Sequence, residues 1–293
     1  MACDPACEII GLNNGNLPVH LFEEPKIDCH NHVLDPARFP YGADNPYRPA
    51  GQEIGTAAQL LLVMECHGVR HSLVVAPNSG YGTDLRCLLD AIEHAEGRLK
   101  GVAAVPLDIG LPALRSLQAQ GMVGVAFNPT FDGVAHYADA GKLVARLADL
   151  DLFLQVQVEH DQMLALLPVI EAAPARLLID HCGRPTPEAG LDQPGFRAIL
   201  ALAATGRASV KLSGLMKFSR QPYPYTDTWP FLRALVDAFG LDACVWGSDW
   251  PSLRAPERLD YGPLLSLMEI LFPDPADRQK LFWDTPRRLF GFA

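Results

Sequence analysis

The sequence predicts a closed (β/α)8 TIM barrel, one domain over residues 1–293, with its reactive groups at the C-terminal ends of the strands. Three observations lead there. Short apolar or β-branched runs such as Leu73-Val74-Val75 and Leu177-Leu178-Ile179 recur along the chain, each followed by a stretch of helical period. A parallel sheet covered by helices demands that pattern. Eight such strand–helix units fit the 293 residues, which suits a barrel of typical size with some long loops. Polar clusters close the first, sixth and eighth runs: Asp28-Cys29-His30-Asn31-His32, Asp180-His181 and Ser248-Asp249. An open doubly wound sheet fits less well, because no glycine-rich phosphate loop follows the first strand.

Residues 1–24 show no period and read as an irregular arm. The first strand covers 26–33. Alternate side chains of a strand share a face, so Asp28, His30 and His32 are expected on one side and Cys29 and Asn31 on the other. Residues 34–55, rich in Pro, Gly, Asn and Tyr, form a long loop suited to a lid or a binding wall. Thr56 reads as a helix N-cap with Gln59 as its capping-box partner, and Gly68 stops that helix. The second strand is 72–76. Thr83 is expected to cap a helix running through Leu85, Leu88, Leu89 and Ile92. Further strands are expected at 101–105, 123–127, 152–158, 176–180, 209–212 and 243–247. The helices between and after them are expected at 111–120, 139–150, 161–173, 194–205, 227–239, 261–271 and 276–290.

Composition narrows the function. The chain is 49% apolar with a formal net charge of -10 and no block of Lys or Arg, so nucleic acid and anionic membrane are poor partners and a small molecule is the expected one. Seven cysteines, an odd number without a Cys-x-x-Cys pair, suit free thiols in a reducing cytoplasm. Cys3 and Cys7 have no assigned role. The N-terminus lacks the basic start and apolar core of a signal peptide, and no apolar run approaches the roughly 18 residues of a membrane span. Nothing in the sequence fixes an oligomeric state.

The strand ends of a barrel converge on one mouth, which gathers His30, His32, His181 and Asp249. Three imidazoles and a carboxylate suit one zinc or manganese ion with room for a water. Metal-bound water ionises at roughly pH 7–9 instead of about 16. Without metal, the three histidines can polarise a carbonyl while Asp249 directs water at it. Both routes stand open at this point. Gln155 and Gln157 share a strand face and suit a substrate hydroxyl or carbonyl. Arg184, three residues beyond His181, suits a carboxylate through its bidentate fork. Tyr47, Asn78, Tyr81 and Asn128 come from loops that reach the mouth. Lys211, Lys217, Arg220, Tyr223 and Tyr225 give the seventh loop a cationic, aromatic character. Lys211, inside the strand itself, reads equally as a buried paired lysine.

These residues resemble a known family. Asp28-x-His30-x-His32, Asp180-His181-Cys182-Gly183-Arg184-Pro185 and Trp246-Gly247-Ser248-Asp249-Trp250-Pro251 are similar to motifs of the amidohydrolase superfamily. More narrowly, they resemble its amidohydrolase-2 branch of pyrone-dicarboxylate and sulfomuconolactone lactonases. The resemblance extends to Tyr47-Arg48-Pro49, Val210-Lys211-Leu212-Ser213-Gly214 and Asp284-Thr285-Pro286-Arg287, nearly the whole chain. It implies a hydrolase that opens a lactone. Asp249 then activates water, and His30, His32 and His181, with or without one divalent metal, surround the carbonyl oxygen. Strand five carries no lysine to bridge two metals, so a binuclear centre is not expected. Val125-Ala126-Phe127-Asn128 departs from the dicarboxylate lactonases, which carry an arginine in strand four. A monocarboxylated or neutral sugar-type lactone is therefore expected. The alternatives are a metal-dependent carboxy-lyase, an amide or C–C hydrolase, and a barrel that binds a ligand without turnover.

Overall fold

The computed structural model describes residues 19–293 apart from 44, 46, 256 and 258. Eight strands form one parallel sheet: β1 Lys26–Asn31, β2 Val69–Val75, β3 Leu99–Ala103, β4 Met122–Phe127, β5 Phe153–Val156, β6 Arg176–Ile179, β7 Ala208–Leu212 and β8 Cys244–Trp246. Each pairs with its neighbour in sequence order, as successive right-handed βα units require. The barrel closes just beyond β8. The Asp249 N–H donates to the His30 carbonyl at 2.7 Å and the His32 N–H to the Trp250 carbonyl at 2.8 Å.

The helices that follow the strands are α1 Ala57–Cys66, α2 Arg86–Glu93, α3 Leu111–Ala119, α4 Gly141–Asp149, α5 Gln162–Ile170, α6 Pro194–Leu202, α7 Trp229–Phe239 and α8 Tyr261–Leu271. α1 carries the expected capping box: Thr56 Oγ1 accepts from the Gln59 N–H at 3.2 Å, and Gln59 Oε1 accepts from the Thr56 N–H at 3.0 Å. α2 does not begin as expected. It starts at Arg86, and the Asp84 carboxylate, not the Thr83 hydroxyl, takes the Arg86 N–H at 3.1 Å. An ionised acceptor outcompetes a hydroxyl for that donor, and it also holds the Arg86 guanidinium. Residues 19–23, placed by sequence in the irregular arm, form the short helix Val19–Glu23, anchored by the buried Leu21. Cys3 and Cys7 lie outside the described residues.

Two apolar layers hold the fold. Ile27, Cys29, Leu73, Val75, Val102, Phe153, Leu178 and Val245 fill the barrel, and Phe290 and Phe292 pack against them. A larger layer, including Val74, Leu154, Val156, Leu177, Ile179, Val210 and Leu212, lies between sheet and helices. The alternation of Leu73/Val74/Val75 between the two layers is the period-two signature of a strand buried on both faces.

β1 breaks that period where the site begins. Its pairing with β2 shifts register between Asp28 and Asn31, the mark of a bulge, which re-aims side chains. Cys29 belongs to the barrel interior, and His30, next in sequence, also meets interior groups, Lys211 of β7 and Asp180 at the end of β6. Asp28 does not share their environment, contrary to the simple alternation. Its Oδ1 accepts from the Ser248 N–H at 2.9 Å. Its Oδ2 accepts from the Ser248 hydroxyl at 2.6 Å and the Tyr261 hydroxyl at 2.9 Å. Asp28 thus ties β1 to the β8 loop and α8.

Candidate active site

A cavity of about 630 Å³ opens at the C-terminal ends of the strands. Asp249 lies on its wall, 2% exposed. Its Oδ1 stands 3.6 Å from His30 Nε2, 3.5 Å from His32 Nε2 and 3.9 Å from His181 Nε2. The structure therefore brings together the four residues that the sequence placed on strands one, six and eight.

Local backbone geometry sets these positions. His181 and Asp249 both adopt left-handed φ, 50° and 60°, as do Cys182 at 57° and Arg184 at 44°. Each such non-glycine residue costs of order 1–3 kcal/mol, and such strain persists only where its surroundings over-determine it. Two glycines give the histidines room. A Cβ on Gly247 would come within 2.6 Å of His30 Cβ, and one on Gly214, at φ +62°, within 2.3 Å of His181 Nδ1.

The ring nitrogens away from Asp249 are engaged. His32 Nδ1 lies 2.8 Å from the Val75 carbonyl, so that nitrogen carries a proton. His181 Nδ1 meets the Ser213 hydroxyl at 3.0 Å. His30 Nδ1 lies 3.2 Å from Asp180 Oδ1 and 3.1 Å from Lys211 Nζ, and its Nε2 is buried with no hydrogen-bond partner. Lys211 is fully buried, its Nζ 3.0 Å from Asp180 Oδ1, 2.6 Å from Gln155 Oε1 and 3.1 Å from His30 Nδ1.

Burial opposes ionisation of Asp249. Lys217 Nζ, 3.1 Å from its Oδ2, together with His181 and His32 outweighs that and holds the carboxyl well below the usual range. Asp180 is ionised for the same reason: Lys211 and His30 overcome its burial. Burial and the neighbouring His30 push His181 down to about 3. Burial and the Lys211 ammonium lower His30 as well. At neutral pH the site thus holds the Asp249 carboxylate facing the neutral imidazoles of His30 and His181.

Those donors fit a divalent cation. Ligand atoms of His30, His181 and Asp249 lie within 4.8 Å of one another. Tetrahedral ligands at about 2.0–2.1 Å from a metal stand roughly 3.4 Å apart, close to the 3.5–3.9 Å spacing around Asp249 Oδ1. The partnerless Nε2 of His30 is the further sign that this set can take a ligand.

The other expected site residues divide. Asn78, Asn128, Gln155, Gln157 and Arg184 line the cavity. Gln157 donates to Thr130 Oγ1 at 3.0 Å, and Thr130 donates to Asn128 Oδ1 at 2.5 Å. Arg184 is paired with Glu159 at 3.0 Å, while its Nε is buried and partnerless. Three expected contacts fail. Lys211 does not line the cavity, because the buried Asp180 and Gln155 hold its ammonium beneath His30. Tyr47 does not line it either: its hydroxyl is bonded to Glu53 and its ring lies under the Arg254 guanidinium. Tyr81 is buried, its hydroxyl accepting from the Asp35 N–H at 3.0 Å. Sequence reasoning missed the contact between Lys217 and Asp249. The basic character of the seventh loop was its only signal.

A family model described as amidohydrolase matches residues 27–292. The chain belongs to the amidohydrolase family. Among curated relatives, the 4-sulfomuconolactone hydrolase of Rhizobium radiobacter is 34% identical over 271 residues, covering 90% of this chain and 89% of that one. The 2-pyrone-4,6-dicarboxylate hydrolase of Comamonas testosteroni is 28% identical over 279 residues, with 90% and 89% covered. Among solved structures, a probable 2-pyrone-4,6-dicarboxylic acid hydrolase from Acinetobacter baumannii with citric acid bound superposes with a TM-score of 0.83 at 25% identity, covering 91% of this chain and 99% of that one. Among the described residues no helix is long and apolar enough to cross a membrane.

Proposed function

We propose that this amidohydrolase hydrolyses a small lactone, and that Asp249 is its general base. The observation that carries the reading is the Asp249 carboxylate with three imidazole Nε2 atoms 3.5–3.9 Å from one of its oxygens, at the wall of a ligand-sized cavity. A water beside Asp249 gives its proton to the carboxylate as its oxygen attacks the ring carbonyl. The carbonyl oxygen becomes an oxyanion among the histidine nitrogens. Collapse breaks the ring C–O bond, and Asp249 returns the proton to the departing alkoxide, so that water is added across the ester. A zinc or manganese ion held by His30, His32, His181 and Asp249 would supply Lewis-acid polarisation of the carbonyl.

The protein performs the remaining tasks itself. Lys217 balances the charge on Asp249 and keeps it ionised. Asp180 and Lys211 fix the His30 ring from behind. Gln157, Asn78 and Asn128 offer neutral donors and acceptors to the ring substituents, Gln155 braces Asp180 and Lys211 beneath them, and Arg184 offers the unused Nε–H. Val125 and Ala126 stand in β4 where dicarboxylate lactonases carry an arginine, so a substrate with one acidic group or none fits better than a dicarboxylate.

The test is a panel of sugar-acid lactones and muconolactones assayed with wild type and Asp249→Asn. A loss of about 10²–10⁴-fold in kcat is expected for a general base; equal rates remove Asp249 from the chemistry. Elemental analysis of protein purified without added metal tells whether the polarising ion is present. The same cluster suits a metal-dependent carboxy-lyase, and release of carbon dioxide rather than ring opening would select that reading.

A further inference from the structure

Four cationic side chains line the cavity. Three are matched to carboxylates: Arg184 to Glu159 at 3.0 Å, Lys217 to Asp249 at 3.1 Å and Arg220 to Glu188 at 3.2 Å. The fourth, Arg254, has no carboxylate within ion-pair distance among the described residues, although its side chain is exposed to the cavity mouth. Its guanidinium lies over the Tyr47 ring, 4.1 Å from the centroid, with the Phe131 ring at 5.8 Å.

That arrangement holds the group without using its hydrogen bonds. A ring face attracts a guanidinium through its quadrupole and leaves the N–H donors at the edge of the plane. The backbone is pinned as well: the Arg254 N–H donates to Glu53 Oε1 at 2.7 Å, and the Tyr47 hydroxyl donates to the same carboxylate oxygen. Arg254 adopts a left-handed φ of 54°, a conformation that a non-glycine residue keeps only when held. Glu53 thus serves as the clamp, Tyr47 as the platform, and the guanidinium edge stays available. In a chain of net charge -10, a pre-oriented, unmatched cation at the mouth of a cavity is suited to an anion.

We infer that Arg254 is the specificity-determining residue of this site, reading one carboxylate or sulfonate carried on the lactone ring. The inference rests on the lactone-opening function proposed above and narrows its substrate to a monoanion. The neutral cluster of Asn78, Asn128 and Gln157 then faces the rest of the ring. Tyr47, expected from sequence to touch substrate, acts one step back as the support for the residue that does.

The test separates charge reading from turnover. The probes are 3-oxocyclopentaneacetate and its methyl ester, cyclic ketones that mimic the lactone ring, cannot be opened, and differ in one charge. The corresponding sulfonate, 3-oxocyclopentanemethanesulfonate, shows which anion is preferred. Calorimetry is run on wild type, Arg254→Met and Arg254→Lys. Wild type is expected to bind the anions about tenfold or more tighter than the ester. Arg254→Met should abolish that preference, and Arg254→Lys should keep part of it. Equal affinity of wild type for anion and ester, no affinity for either, or an unchanged preference in Arg254→Met overturns the inference. Charge-selective binding without hydrolysis of any lactone by wild type overturns the proposed reaction and leaves the role of Arg254 standing.

Discussion

Replacing Lys211 by Met tests how the floor of the site is held. The ammonium is 0% exposed and makes three contacts, to Asp180 Oδ1 at 3.0 Å, Gln155 Oε1 at 2.6 Å and His30 Nδ1 at 3.1 Å. Methionine fills a similar volume, so packing changes little and the charge term dominates. What remains is a buried Asp180 carboxylate with only Gln155 Nε2 at 2.6 Å and His30 Nδ1 at 3.2 Å, and a Gln155 carbonyl without its donor. Breaking one side of such a buried pair costs about 3–5 kcal/mol, a large share of the roughly 5–15 kcal/mol that keeps a protein folded. Removing both charges in Lys211→Met/Asp180→Asn leaves no isolated ion. Most of the loss should be restored, to within about 1–2 kcal/mol of wild type, because uncompensated charge and not lost attraction is the main penalty. Urea unfolding followed by circular dichroism reads both effects, provided the slope of the transition is unchanged. A single variant that loses less than about 1 kcal/mol, or a double variant no better than the single, refutes the claim that Lys211 is there to neutralise Asp180.

Acid should destabilise metal-free protein well above the carboxylate range. His181 is held down to about 3 and His30 is also lowered, so below about pH 6.5 the unfolded chain binds protons that the folded one refuses. Stability is therefore full above that pH and falls as pH drops, by about 1.4 kcal/mol per unit for each histidine; His181→Gln should flatten the slope of a pH series of melting curves. Over the same range Asp249 should stay ionised and His181 neutral, so neither should contribute an acid limb to the rate of ring opening near 6.5; a limb in kcat/KM that disappears in His181→Gln would refute this protonation state. Gly214→Ala should cost about 1–2 kcal/mol of backbone strain from its φ of +62°. It should also displace His181 and lower kcat far more than it lowers the melting temperature, read by parallel kinetics and calorimetry.

Much of this architecture is legible in the chain. The strands announce themselves because apolar runs such as Leu177-Leu178-Ile179 must be buried on both faces, and α8 begins and ends at 261 and 271 as the period of its apolar residues predicts. The meeting of His30, His32, His181 and Asp249 is legible because each follows an apolar run, and the strand ends of a barrel converge. What failed depends on tertiary detail. The facing of Asp28 turns on a register shift against β2, which a period of two does not encode. The start of α2 was decided by a carboxylate competing with a hydroxyl one residue away. Lys211 and Tyr47 are side chains of the right chemistry whose polar groups are taken by Asp180 and Glu53, partners 31 residues before the one and 6 residues after the other. Arg254 was invisible because its significance lies in what it lacks.

The seam where β8 meets β1 has a consequence for folding as well as for chemistry. The amide of Asp249 and that of His32 are the very donors that zip the cylinder shut, onto the carbonyls of His30 and Trp250. Closing the last gap and assembling the base with its imidazoles are one event, so an intermediate with seven strands docked can have nearly all its helices and no turnover. Hydrogen exchange at those two amides should follow recovery of activity during refolding.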